Sequence, residues 1–286
     1  MLVCAVVSLK GGVGKTTVTL GLTGAAQRRG LNVLVIDLDP QANASTSLDP
    51  QGVAFTSNDV LADGRPGLLE QAVSPSSWTA GAAKVGVVVA EPALEHRIAI
   101  PLSDNDLTGA RQQMSTLRRA MSGLSGWDLV LIDCPPSLGM LTRNALAAAN
   151  GTLVVVEPGV FAVQGAHRAL DAVEVVRRHA NLALRPWGLA VNRVRRTAEQ
   201  TYRLAELEQA YRSASDGGLV LDPVLPDRAV LQQAQGACLP VQVLPGAPAR
   251  EVSAVFSRWL DHLLSQAAPA VPAGRSGWLT EPGVGQ

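Results

Sequence analysis

The 286-residue chain has little cysteine, histidine or lysine, and each scarcity removes a class of explanation. Cys4, Cys134 and Cys238 are odd in number and far apart, which fits reduced thiols in a core and not a disulfide framework. The histidines, His96, His167, His179 and His262, stand at no metal-ligand spacing, so no transition-metal centre held by the protein is expected. No apolar run approaches the roughly 18 to 20 residues that cross a bilayer. The N-terminal apolar run lacks the basic flank and small-residue cleavage site of a signal peptide, so a cytoplasmic protein is expected. The formal net charge is zero, which leaves no global field to draw the chain to nucleic acid or an anionic membrane. Among 24 Lys and Arg only Lys10, Lys15 and Lys84 are lysines. Two of them fall within six residues of each other, so both read as chemically required.

Apolar residues make up 47% of the sequence, ample for a sizeable core. Short β-rich runs recur at 2–7, 32–36, 84–90, 128–132, 152–156, 188–191 and 218–221, with helix-length segments between them. Most are continuously apolar, as parallel strands covered on both faces are. The alternation predicts an α/β fold with a doubly wound, mostly parallel sheet and helices on both faces. A helix is predicted at about 15–29, ending at a left-handed Gly30, with Gly21 and Gly24 inside it for close packing on the sheet. Residues 57–110 are acidic and weak in pattern, and read as a peripheral elaboration. A single domain is expected over 1–267. The proline- and glycine-rich stretch 268–286 reads as a disordered tail.

The stretch "SLKGGVGKTT" at 8–17 follows the first predicted strand. Gly11, Gly12 and Gly14 let successive N–H groups face an anion at the start of a helix. Lys15 is placed to reach the β- and γ-phosphates, and the Thr16 hydroxyl to bind Mg²⁺. Carboxylates for such a site stand at strand ends, Asp37 and Asp39 in "VLVIDLDPQAN" and Asp133 in "DLVLIDCPPSLG". Cys134 has no evident redox task.

"KGGVGKTT", "DLDPQAN" and "DCPPSLG", in this order, resemble the deviant Walker A ATPases of the ParA/Soj and MinD group, most closely the ParA-type DNA-partition ATPases. The likeness runs from residue 1 to about 265. The resemblance implies that Lys10 is the signature lysine, reaching across an ATP-sandwiched homodimer to the partner's phosphates. It also implies that the loop Gly11, Gly12, Val13, Gly14, Lys15, Thr16 and Thr17 binds ATP, with Thr17 on the α-phosphate. Asp39 resembles the residue that orients the attacking water, Asp37 sits beside the Mg²⁺ shell, and Asp133 resembles the Walker B acid. Asn192 and Pro226 match the segments that frame the adenine.

The group's partition members bind DNA without sequence preference, and a ParB-like centromere-binding protein stimulates them. Arg193, Arg195 and Arg196 in "NRVRRT", with Arg228, are the candidate DNA contacts, because loop arginines suit phosphates. Where partition ATPases often carry "IPRNVRLSEAP", this chain has "LPDRAVLQQAQ", with Asp227 and Val230 at positions expected to be arginine. No basic amphipathic tail of the MinD kind is present, so membrane binding is not expected. A nucleoid-associated partition ATPase is the reading. ATP-dependent positioning of a protein cargo stays open.

Overall fold

The computed structural model describes residues 1–78, 83–98, 112–212 and 218–266. Its centre is a seven-stranded sheet. The strands are β1 (Leu2–Val7), β2 (Val33–Asp37), β3 (Ser74–Pro75), β4 (Val85–Val88), β5 (Leu129–Asp133), β6 (Gly151–Val156) and β7 (Arg185–Val191). Their order is β3-β4-β2-β5-β1-β6-β7, and all neighbours run parallel except β3 with β4. Every residue of β1, β2, β4, β5 and β6 is buried, which is why these strands read as continuous apolar runs. The two faces have separate cores. Val3, Ala5 and Val7 of β1 pack into one, and Leu2, Cys4 and Val6 into the other, as the two-residue period of a strand demands.

The first helix, α1 (Lys15–Arg28), ends where the sequence predicts, with Gly30 at φ 77°. Its glycines do allow close packing, though against helical and turn segments and not against the sheet. A Cβ on Gly21 would lie 2.2 Å from the Phe256 ring of the helix Ala247–Ser265, and one on Gly24 would lie 2.2 Å from Gln242 Oε1. Two further expectations change. The run 218–221 forms no strand; it meets β7 through one bridge, Leu189 with Val220. The segment after residue 57 is less peripheral than its composition suggests: Leu61, Leu68, Leu69 and Leu94 are buried in the main core, and β4 lies inside the sheet. The acidic character there belongs to exposed positions such as Asp63 and Glu70, while the apolar ones face inward. The expected tail at 268–286 lies outside the described residues, as does 99–111.

Candidate functional site

The central strand β1 ends at the phosphate loop, at the carboxyl edge of the sheet, where ligands of open α/β sheets bind. The buried Ser8 shapes the turn that follows: the Lys10 N–H donates to its hydroxyl at 3.2 Å, and that hydroxyl donates to the Lys10 carbonyl at 3.0 Å. Gly12 and Gly14 take φ 77° and 93°, conformations that glycine adopts without the Cβ cost other residues meet. The loop then enters α1 directly, so the positive end of that helix faces the same space.

Behind the loop, β2 and β5 are adjacent and in register, with Asp37 opposite Asp133. Thr16 Oγ1 donates to Asp133 Oδ2 at 2.7 Å, and Thr19 Oγ1 lies 3.3 Å from Asp133 Oδ1. Asp37 accepts from the backbone N–H and the hydroxyl of Ser45, both at 2.8 Å, and from the Asp39 N–H at 3.0 Å. Ser45 belongs to α2 (Asn43–Leu48), so the Asp37 carboxylate anchors the segment that follows Asp39. Burial raises the Asp37 carboxyl to about 6, against the favourable hydrogen bonds from Ser45. Burial and then the neighbouring Asp37 charge raise Asp133 to about 8. Burial also raises the Cys134 thiol well above its ordinary value, so it is held as an inert thiol.

A cavity of about 520 Å³ opens in front of these groups, lined by residues that include Gly12, Gly14, Lys15, Thr16, Thr17, Asp39, Arg193 and Gln235. Two lysines are thereby separated. Lys15 is buried inside the cavity, whereas the Lys10 side chain is 77% exposed, with Nζ 4.0 Å from Glu157 Oε2 beside the exposed Val160 and Phe161. The ligand atoms near Thr16 are oxygens, and two buried carboxylates stand there, Asp133 bonded to Thr16 and Asp37 beside it. That donor set fits a hard cation such as Mg²⁺. Among the described residues no three His, Cys, Asp or Glu side chains group as a self-contained metal site.

The remaining predicted residues divide. Asn192, buried at the end of β7, donates from Nδ2 to the Val13 carbonyl at 2.7 Å and so touches the phosphate loop. Pro226 pairs through a bridge with Val194 and lines a neighbouring cavity of about 950 Å³ together with Arg195, Arg196 and Arg228. Arg195 Nε is 2.7 Å from Asp227 Oδ2, and Arg228 holds Glu251 at 2.7 and 3.0 Å. Arg193 stands apart from these, on the phosphate cavity. Sequence reasoning missed Ser8, Thr19, Ser45 and Gln235, whose Nε2 donates to Thr17 Oγ1 at 3.0 Å. For Thr19 the helical spacing of four from Lys15 was a usable signal; Gln235, more than 200 positions from Thr17, carried none.

A family model described as an AAA domain matches residues 1–185. A chromosome-partitioning ATPase Soj from Thermus thermophilus is 34% identical over 234 residues, spanning 80% of this chain and 83% of that protein. Among solved structures, cobyrinic acid a,c-diamide synthase from Mycobacterium smegmatis, with bound ADP and magnesium, aligns at TM-score 0.70 and 26% identity, covering 93% of this chain and 95% of its own. An ATP complex of a McdA variant from Cyanothece aligns at TM-score 0.74 and 19% identity over 93% and 96% of the two chains, a likeness of fold.

Proposed function

Because the chain belongs to the AAA-domain family of ParA/Soj-type ATPases, we propose that it is an ATP-dependent partition switch: an ATP-bound homodimer that holds DNA without sequence preference and hydrolyses ATP when a ParB-like partner stimulates it. The observation that carries this reading is the division of labour between its two loop lysines. Lys15 is buried in the cavity, placed for the subunit's own nucleotide, while Lys10 projects outside it. A cation supplied from outside the loop to the developing γ-phosphoryl charge is worth about 10³- to 10⁵-fold in rate. If Lys10 supplies it to a second copy, hydrolysis depends on dimerisation. The exposed Val160 and Phe161 beside Lys10 offer that copy an apolar contact.

Within one subunit, the Gly11, Gly12, Val13 and Gly14 backbone and the N-terminus of α1 would hold phosphates, and Thr16 with Asp37 and Asp133 would hold the cation. A Mg²⁺ ion held there would supply positive charge against the phosphates of the nucleotide. Thr17 and Asn192 position the nucleotide, Pro226 borders the base, and Asp39, hydrogen-bonded to the Gln41 N–H at 3.0 Å, orients water.

DNA contact is assigned to Arg195, Arg196 and Arg228. Arg195 and Arg228 pair with carboxylates in exposed settings, where such pairs contribute little and exchange readily for phosphate. The same pairs favour a second reading, in which the cargo is a protein assembly and these arginines are structural.

DNA binding over a salt series, with ATP, ADP or no nucleotide, tests the proposal for wild type and Lys10→Ala. The expectation is tight, strongly salt-dependent binding by wild type with ATP alone, lost in the variant. Equal binding in all three nucleotide states, or none at low salt, would overturn the DNA reading; ATP-driven dimers without DNA binding would favour the protein cargo.

A further inference from the structure

The arginine-rich turn after β7 does not act as one patch. The Asn192 amide clamps its first arginine to the phosphate loop: Nδ2 donates to the Val13 carbonyl at 2.7 Å, while Oδ1 accepts from the Arg193 N–H, also at 2.7 Å. Arg193 takes φ 57°, a left-handed conformation that is unfavourable for a non-glycine residue and persists where surroundings enforce it. Arg193 lines the cavity shared by Gly12, Gly14, Lys15, Thr16 and Thr17. Arg195 and Arg228 meet Asp227 and Glu251, and Arg196 acts on Glu251, but Arg193 has no carboxylate partner among the described residues. It is also half-buried, so its charge is less screened than that of the exposed Arg195 and Arg196.

We propose that Arg193 is a positioning residue for the nucleotide, binding the phosphate chain of ADP and ATP from the side opposite Lys15 within the same subunit, and that it takes no part in holding DNA. The cavity's charge supports this. Asp39 lines it, and Asp37 and Asp133 lie beneath, against Lys15 as the other lining cation. A nucleotide brings several further negative charges. A guanidinium clamped at that rim matches them, and its planar fork suits phosphate oxygens. The assignment rests on nucleotide binding by a single subunit and is independent of the dimer and DNA steps proposed above.

The test is nucleotide affinity measured by calorimetry with Mg²⁺, using ADP, ATP and inorganic triphosphate, for wild type, Arg193→Asn and Arg193→Lys. Asparagine tolerates the left-handed backbone, so Arg193→Asn removes the guanidinium while keeping the turn. Loss of a charge-assisted contact predicts affinity weakened about 10- to 100-fold for all three ligands, with partial recovery in Arg193→Lys. Arg193→Asn affinities within about twofold of wild type would overturn the proposal, as would weakening for ADP and ATP that spares inorganic triphosphate. A salt slope for DNA that falls by about 0.9 in Arg193→Asn with ADP affinity unchanged would return the residue to the DNA surface. Wild type that fails to bind ADP at all would overturn the nucleotide site itself, a different failure.

Discussion

Asn192 and Gly14 interlock across the sheet edge. A Cβ on Gly14 would lie 2.1 Å from Asn192 Nδ2, and Gly14 itself sits at φ 93°. The Gly14→Ala variant therefore meets two penalties, a left-handed alanine and a clash with an amide that already holds Val13. The expectation is a loss of about 2 to 4 kcal/mol of stability and of nucleotide binding. Thermal unfolding of Gly14→Ala, Asn192→Ala and the double variant checks it: the double variant should lose less than the sum of the singles, because the clash partner has gone.

The carboxylate pair makes the metal-free protein sensitive to alkali. Asp37 and Asp133 are raised from an ordinary 3.8 to about 6 and about 8, so the folded state keeps protons that the unfolded chain has already released. Their stabilisation is complete below about pH 4 and is lost as pH rises through about 6 and then about 8, with Asp133 contributing the larger share. Urea unfolding in chelator from about pH 5 to 9 should show falling stability, with the upper part flattened in Asp133→Asn. A wild-type profile that is flat or rises with pH would contradict this account.

Gly21→Ala sets helix propensity against packing. Alanine gains about 1 kcal/mol within a helix, but its Cβ would lie 2.2 Å from the Phe256 ring, and overpacking costs about 1 to 3 kcal/mol. Net destabilisation of about 1 kcal/mol is expected, relieved when Phe256→Leu is added. A lower urea midpoint for Gly21→Ala alone, restored in part by the second substitution, is the signature.

The sheet and the phosphate site were legible because their determinants are local. A continuous apolar run ending in Asp places a carboxylate at a strand end, and Asp37 opposite Asp133 follows once β2 and β5 are neighbours. Glycine-rich spacing did the same for the loop. What escaped depended on distant partners. Gly21 and Gly24 face Phe256 and Gln242, more than 200 positions away, and no local pattern marks that. The run 218–221 had strand composition but contributes one bridge, since its ladder bonds to β7 are two, Leu189 N–H to the Leu219 carbonyl and Leu221 N–H to the Leu189 carbonyl, while the Leu219 N–H turns to the Tyr211 carbonyl. The arginine cluster "NRVRRT" looked uniform in sequence, yet its first arginine, with a left-handed backbone, lines a different cavity from the other two.

Eleven of the 14 residues of α1 are buried, and its flank is pinned along the helix Ala247–Ser265. A post so enclosed has nowhere to tilt. A response to the nucleotide is therefore expected in α2, tethered through Ser45 to Asp37, or in the turn after Asn192, and not in a shift of α1.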